Sequence, residues 1–159
     1  MDLSRSDLPG VALAVVVCNA VGAAPALVTA TGSGSWYDTL AQPALAPPNW
    51  MFGPVWTLLF TLLGVAAYLV LRDGSGRQRT VAFSLFVAQY ALNVAWTLVF
   101  FGGQNIPGGL AVIAALWAGI AATLAAFYRV RPAAGALLVP YLAWVSFAAY
   151  LNYAFWALN

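Results

Sequence analysis

Five stretches of the chain are apolar almost without interruption, and polar residues gather in the segments between them. The runs lie near 9–31, 48–71, 80–102, 107–128 and 134–157. Each has the roughly 20 mostly apolar residues that a helix needs to cross a bilayer. The pattern predicts an all-α membrane protein, a bundle of five transmembrane helices forming one domain over 1–159. Arg5 is the only basic residue ahead of the first run, and no A-x-A site closes it. It therefore reads as a retained span rather than a cleaved leader.

Composition supports this reading. Of 159 residues, 64% are hydrophobic and 6% charged, where a soluble domain carries about 25% charged residues. Mean hydropathy is +0.87. No charged residue falls inside an apolar run, so no charged proton relay or ion site crosses the bilayer. The sequence has no Lys, which excludes a Schiff-base retinal protein, and no His, which excludes histidine-ligated haem and most transition-metal sites. No cofactor is expected. Cys18, the lone cysteine, reads as a small buried hydrophobe. The few scattered arginines give no footprint for nucleic acid.

The distribution of arginine orients the chain. Residues 72–79, RDGSGRQR, hold Arg72, Arg77 and Arg79; YRVRP at 128–132 holds Arg129 and Arg131; Arg5 precedes the first span. The loop at 32–47, the loop at 102–106 and the C-terminus hold none. All six arginines thus fall on one side, which the positive-inside rule assigns to the cytoplasm, with the N-terminus in and the C-terminus out.

The loop at 32–47 begins GSGS, continues with Trp36 and Tyr37, and is stiffened by Pro43 and Pro47. Pro48 suits a first helical turn, and Pro54 is expected to bend the start of the second span. Two readings fit this stretch: a rigid cover folded onto the outer end of the bundle, or an ordinary interfacial belt of Trp and Tyr. Within the spans, Gln89, Asn93, Trp96 and Thr97 form one stripe of the third helix. Trp144, Ala148, Asn152 and Phe155 share a face of the fifth, with Tyr141 and Leu151 along its border; Trp56, Phe60, Leu63 and Ala67 do likewise in the second. Buried amides are satisfied across helices, so Asn93 and Asn152 point inward, as interhelical glue or as ligand contacts. Convergence favours a site: Trp50 and Trp56 lie near the outer end of the second span, and Pro140, one turn before Trp144, is expected to kink the fifth and free backbone carbonyls. Counting along the spans puts Trp144 deeper from the loop than Trp56. Ser84, Ala88, Ala91 and Ala95 on the third span, and Ala111, Ala115 and Gly119 on the fourth, have the spacing that lets helices approach closely. The third span is the expected dimer contact.

The segments WYDTLAQPALAPPNWMFGPVW, ALNVAWTLVFFG and VPYLAWVSFAAYLNYAFW strongly resemble the TspO/MBR family, the tryptophan-rich sensory proteins of microbes and their translocator relatives. The resemblance runs from about Gly22 to Trp156. It implies a five-helix bundle, usually a homodimer, with a pocket at the end covered by the first loop. The ligands it implies are porphyrins such as protoporphyrin IX, sterols and benzodiazepine-type drugs. By position, Trp56 and Trp144 match the family's porphyrin-facing tryptophans, Trp36 and Tyr37 its loop aromatics, Asn93 and Trp96 the polar–aromatic pair of the third helix, and Ala148 a small residue against which ligands pack. Trp50 and Leu151 complete the candidate ligand set. Three positions depart from the pattern. Leu45 stands where many members have Trp, Gly108 where animal proteins have Trp, and no basic residue follows Tyr153, so the sterol motif at the end of the fifth helix is incomplete.

The expected function is a porphyrin- and lipid-binding membrane protein in sensing or trafficking, with membrane lipid and a second copy of the chain as partners. The alternatives are light-dependent porphyrin degradation through the pocket tryptophans and passive transport of porphyrin or sterol. The Ala-rich, Lys-free composition fits a GC-rich microbe, hence a microbial plasma membrane.

Overall fold

The computed structural model describes residues 3–29 and 34–159. The start of the first loop, Gly32 and Ser33, lies outside the described residues, as does the end of the first expected span. The described helices are α1 (Leu8–Ala23), α2 (Trp36–Thr39), α3 (Phe52–Asp73), α4 (Gly76–Thr97), α5 (Ile106–Val130), α6 (Pro132–Ala136) and α7 (Val139–Leu158). A short 3-10 turn, Ala24–Leu27, extends α1, and a π turn, Leu98–Gly102, extends α4. Among the described residues there are no strands, and five stretches are long and apolar enough to span a membrane: Arg5–Leu27, Asn49–Asp73, Gly76–Gly102, Ile106–Val130 and Pro132–Leu158.

Local chemistry sets the helix ends. Asn105 caps α5, its Oδ1 accepting from the Gly108 amide at 2.8 Å, with Pro107 in the first turn. Pro54 does not interrupt the second span: it occupies the third position of a continuous α3, in the first turn, where a missing N–H costs little. The fifth span is broken ahead of Pro140. α6 stops at Ala136, and Pro140 is the second residue of α7.

Glycines set how closely the helices pack. α1 lies along α3, and a Cβ on Gly64 would sit 2.6 Å from the Val15 Cα, so the two backbones touch there. α5 packs between α4 and α7. Gly119 faces Gln89, with 3.0 Å from an added Cβ to the glutamine Cβ. The core between the helices is formed by Leu63, Leu69, Ile113, Leu116, Ile120, Phe127 and Tyr141, all essentially inaccessible. Outward faces are apolar as well: Leu13, Val16, Val17, Val87 and Val139 are exposed, as lipid-facing positions require.

Charged side chains cluster at one end of the bundle. Arg72 pairs with Asp7 at 3.0 Å and Asp73 at 2.6 Å, and Arg131 also binds Asp73. Tyr68 donates to Asp7 at 2.6 Å, and Gln78 to the Arg129 carbonyl at 2.9 Å. This arginine end ties α1, α3, α4 and the α5–α6 turn together. The opposite end carries the loop with α2. There Asn159, the last residue, bonds in both directions with the Ala41 backbone, at 2.9 and 3.3 Å.

Candidate functional site

A cavity of about 260 Å³ lies toward the loop end, between α1, α3 and α4. Its aromatic wall comes from Phe52, Trp56 and Phe60 of α3, Trp96 of α4 and Phe101 of the π turn. The polar lining is Asn19, Thr29, Thr57, Asn93 and Thr97; Gly22, Ala23, Ala26 and Gly53 leave space. The hydroxyls of Thr29, Thr57 and Thr97 donate to carbonyls four residues earlier in their own chain, at 2.9, 2.9 and 3.2 Å. Their oxygens keep lone pairs for an incoming donor. Among the described residues, no charged side chain lines the cavity.

Trp56 is at the centre of the wall. It stacks on Phe60 with ring centroids 5.3 Å apart and planes 25° from parallel, and lies 6.3 Å from Trp96 and 6.2 Å from Tyr141. Behind it the stripe read from the third span forms a hydrogen-bonded relay. Asn93 Nδ2 donates to Tyr141 Oη at 3.1 Å, and Tyr141 donates to Gln89 Oε1 at 3.1 Å. Trp96 Nε1 donates to Asn152 Oδ1 at 3.1 Å, and Asn152 Nδ2 to the Ile106 carbonyl at 3.1 Å. Asn93 and Asn152 do point inward and bind across helices, and Asn93 also faces the cavity.

Phe100 and Phe101 are adjacent in the π turn that ends α4 and belong to the inner aromatic cluster. Phe100 is buried and Phe101 lines the cavity. Tyr37, 2% exposed, inserts between Phe101 at 5.4 Å and Phe155 at 5.1 Å, with Phe52 and Phe100 edge-on. Trp36 sits on Phe100 at 5.7 Å. The loop is thereby anchored onto the end of the bundle by its aromatics.

The sequence-derived set is only partly brought together. Trp56, Asn93 and Trp96 line the cavity. Trp36 and Tyr37 reach it through Phe100 and Phe101. Trp144 is outside the lining; it packs on Phe52 at 6.3 Å and Phe147 at 5.6 Å, and its Nε1 is buried with no partner among the described residues. Ala148 and Leu151 are buried in α7 away from the lining, and Trp50 is 71% exposed. The expected depth order is reversed. Trp144 stands at the level of Phe52, and Trp56, one turn further from the loop, at the level of Tyr141. The reason is the offset of the helix ends: α7 runs on to Ala41 of the loop, so residues counted from its end overstate depth.

Sequence reasoning missed the first span as a wall. Asn19, Gly22, Ala23, Ala26 and Thr29 recur at helical spacing, and this run of small and polar residues among Val and Leu was the available signal. It also missed Phe52, Thr57 and Phe101.

Five spans around a polar-relayed aromatic interior define a multi-pass integral membrane protein. The TspO/MBR family pattern matches residues 14–157, and the chain belongs to that family. It is 44% identical over 149 residues to the tryptophan-rich protein TspO of Chlorobaculum tepidum, covering 93% of this chain and 94% of that one. It is 40% identical over 126 residues to the translocator protein of Homo sapiens, covering 78% and 75% of the two chains. To the tryptophan-rich sensory protein of Cereibacter sphaeroides it is 42% identical over 125 residues, covering 78% and 77%.

Proposed function

We propose that the protein binds porphyrin and similar flat apolar ligands from the membrane, in sensing or trafficking. The observation that carries this is the cavity wall: five aromatic rings facing threonine hydroxyls and two carboxamides, with no charge. Stacking rewards a flat ring system, and a few polar groups orient it. At about 260 Å³ the cavity is smaller than the ~300–1,000 Å³ that encloses a drug-sized ligand. A macrocycle therefore enters edge-first and keeps its far edge outside. Protoporphyrin IX is expected to quench tryptophan fluorescence saturably, and dark incubation to leave its absorption spectrum intact. Absence of saturable quenching contradicts binding.

Trp96 and Tyr141, at 6.3 and 6.2 Å from Trp56, favour a second reading, electron donation to a photoexcited porphyrin. Loss of porphyrin absorption only under illumination, abolished by Trp56→Phe, would favour it over simple binding.

The functional unit in this proposal is a homodimer in a microbial plasma membrane, with the N-terminus in the cytoplasm. Ser84, Ala88 and Ala91 face outward on α4. On α5, Gly119 is already occupied by Gln89, which favours α4 for the contact.

A further inference from the structure

We propose that Gly22 sets the width of the pocket by seating the Phe60 ring, and so decides how broad a flat ligand the pocket accepts. The proposal rests on the binding reading above and adds a specificity-determining residue to it.

Gly22 lies on α1 at the cavity wall. A Cβ there would fall 2.3, 2.5 and 2.6 Å from three ring atoms of Phe60, so the ring lies directly against the glycine. Phe60 is 5% exposed and held on its other sides. Tyr90 meets it edge-on at 5.7 Å, and Trp56 stacks on it at 5.3 Å. Tyr90 cannot give way easily: its hydroxyl donates to the Cys18 carbonyl and its ring stacks on Phe86 at 5.6 Å. Of Phe60's two ring partners, only Trp56 borders open space. A methyl group at position 22 therefore drives Phe60 against Trp56 and into the cavity. The other lining glycine on α3 supplies the contrast, because a Cβ on Gly53 meets nothing within 4 Å.

The test titrates protoporphyrin IX and indole, a broad and a narrow flat probe, against wild type, Gly22→Ala and the double variant Gly22→Ala with Phe60→Leu. Gly22→Ala is expected to weaken protoporphyrin binding about tenfold, the step that 1.4 kcal/mol represents. Indole binding should change by less than about twofold. Phe60→Leu in the Gly22→Ala background should restore most of the loss. A second readout needs no ligand: with 5-fluorotryptophan incorporated, the Trp56 fluorine resonance should move in Gly22→Ala and return toward its wild-type position in the double variant. Unchanged protoporphyrin binding in Gly22→Ala, equal loss for both probes, or no rescue by Phe60→Leu overturns the proposal. If wild type binds neither probe, the binding reading falls, and the ligand half of this proposal with it. A fluorine resonance that stays still in Gly22→Ala rejects the seat itself.

Discussion

Tyr141 shows how one hydroxyl holds the interior together. It accepts from Asn93 and donates to Gln89, and all three residues are buried. Tyr141→Phe leaves two buried amide groups without that partner, and an unsatisfied buried group costs about 1–3 kcal/mol. A clear fall in the thermal midpoint of the detergent-solubilised protein is expected. An unchanged midpoint would mean that the relay contributes nothing to stability. Trp144 is the opposite case. Its Nε1 is already buried without a partner among the described residues, so Trp144→Phe removes an unsatisfied donor while keeping a ring against Phe52 and Phe147. The same melt should show a loss of less than about 1 kcal/mol, far below the ~3–5 kcal/mol of a full Trp→Ala truncation.

At the scale of the helices, contact between α1 and α3 depends on the absence of a side chain at Gly64. Gly64→Leu puts carbon where the Val15 backbone now lies, and overpacking of this kind costs about 1–3 kcal/mol or more. Lower yield of folded protein and a lower melting midpoint are the expected results; a wild-type melt would refute the close approach. The outward face of α4 has a separate test. Ser84→Leu with Ala88→Leu should convert a dimer to monomer in detergent without changing helix content, whereas an unchanged oligomer removes that face from the contact. The spans were legible because a bilayer demands about 20 apolar residues at a time, and the Gln89–Asn93–Trp96 stripe because amides stand out against hydrocarbon. α1 was not legible as a wall. In lipid both faces of a helix are apolar, so the contrast that marks an inward face in a soluble protein is lost; only Asn19, Gly22 and Thr29 departed from it. Phe101 lies in a π turn, which nothing in the LVFFG segment announces.

For the whole molecule, the sidedness of the arginines was readable from loop composition, and the fold agrees with it. Arg72, Arg131 and the Arg129 carbonyl meet Asp7, Asp73 and Gln78 at one end. The proposed membrane orientation rests on the positive-inside rule. In a Cys18→Ala background, Ala44→Cys should react with an impermeant maleimide on intact cells and Ser75→Cys only after permeabilisation. The reverse pattern would invert the topology. What could not be read from spacing was relative depth. Trp144 seemed the inner tryptophan until the overhang of α7 toward Ala41 placed it level with Phe52. That correction separates two tryptophans that the sequence pairs, and it bears directly on the ligand. Trp56 is on the cavity wall, and Trp144 reaches it only through Phe52. The decisive measurement is a protoporphyrin IX titration, read by fluorescence quenching in lipid nanodiscs, of wild type, Trp56→Ala and Trp144→Ala. By the scale of an aromatic stacking on a flat heterocycle, about 1–3 kcal/mol, Trp56→Ala should weaken binding by roughly five- to 150-fold, and Trp144→Ala by markedly less. Binding by Trp56→Ala as tight as that of wild type, or a larger loss in Trp144→Ala, would contradict a ligand site between α1, α3 and α4.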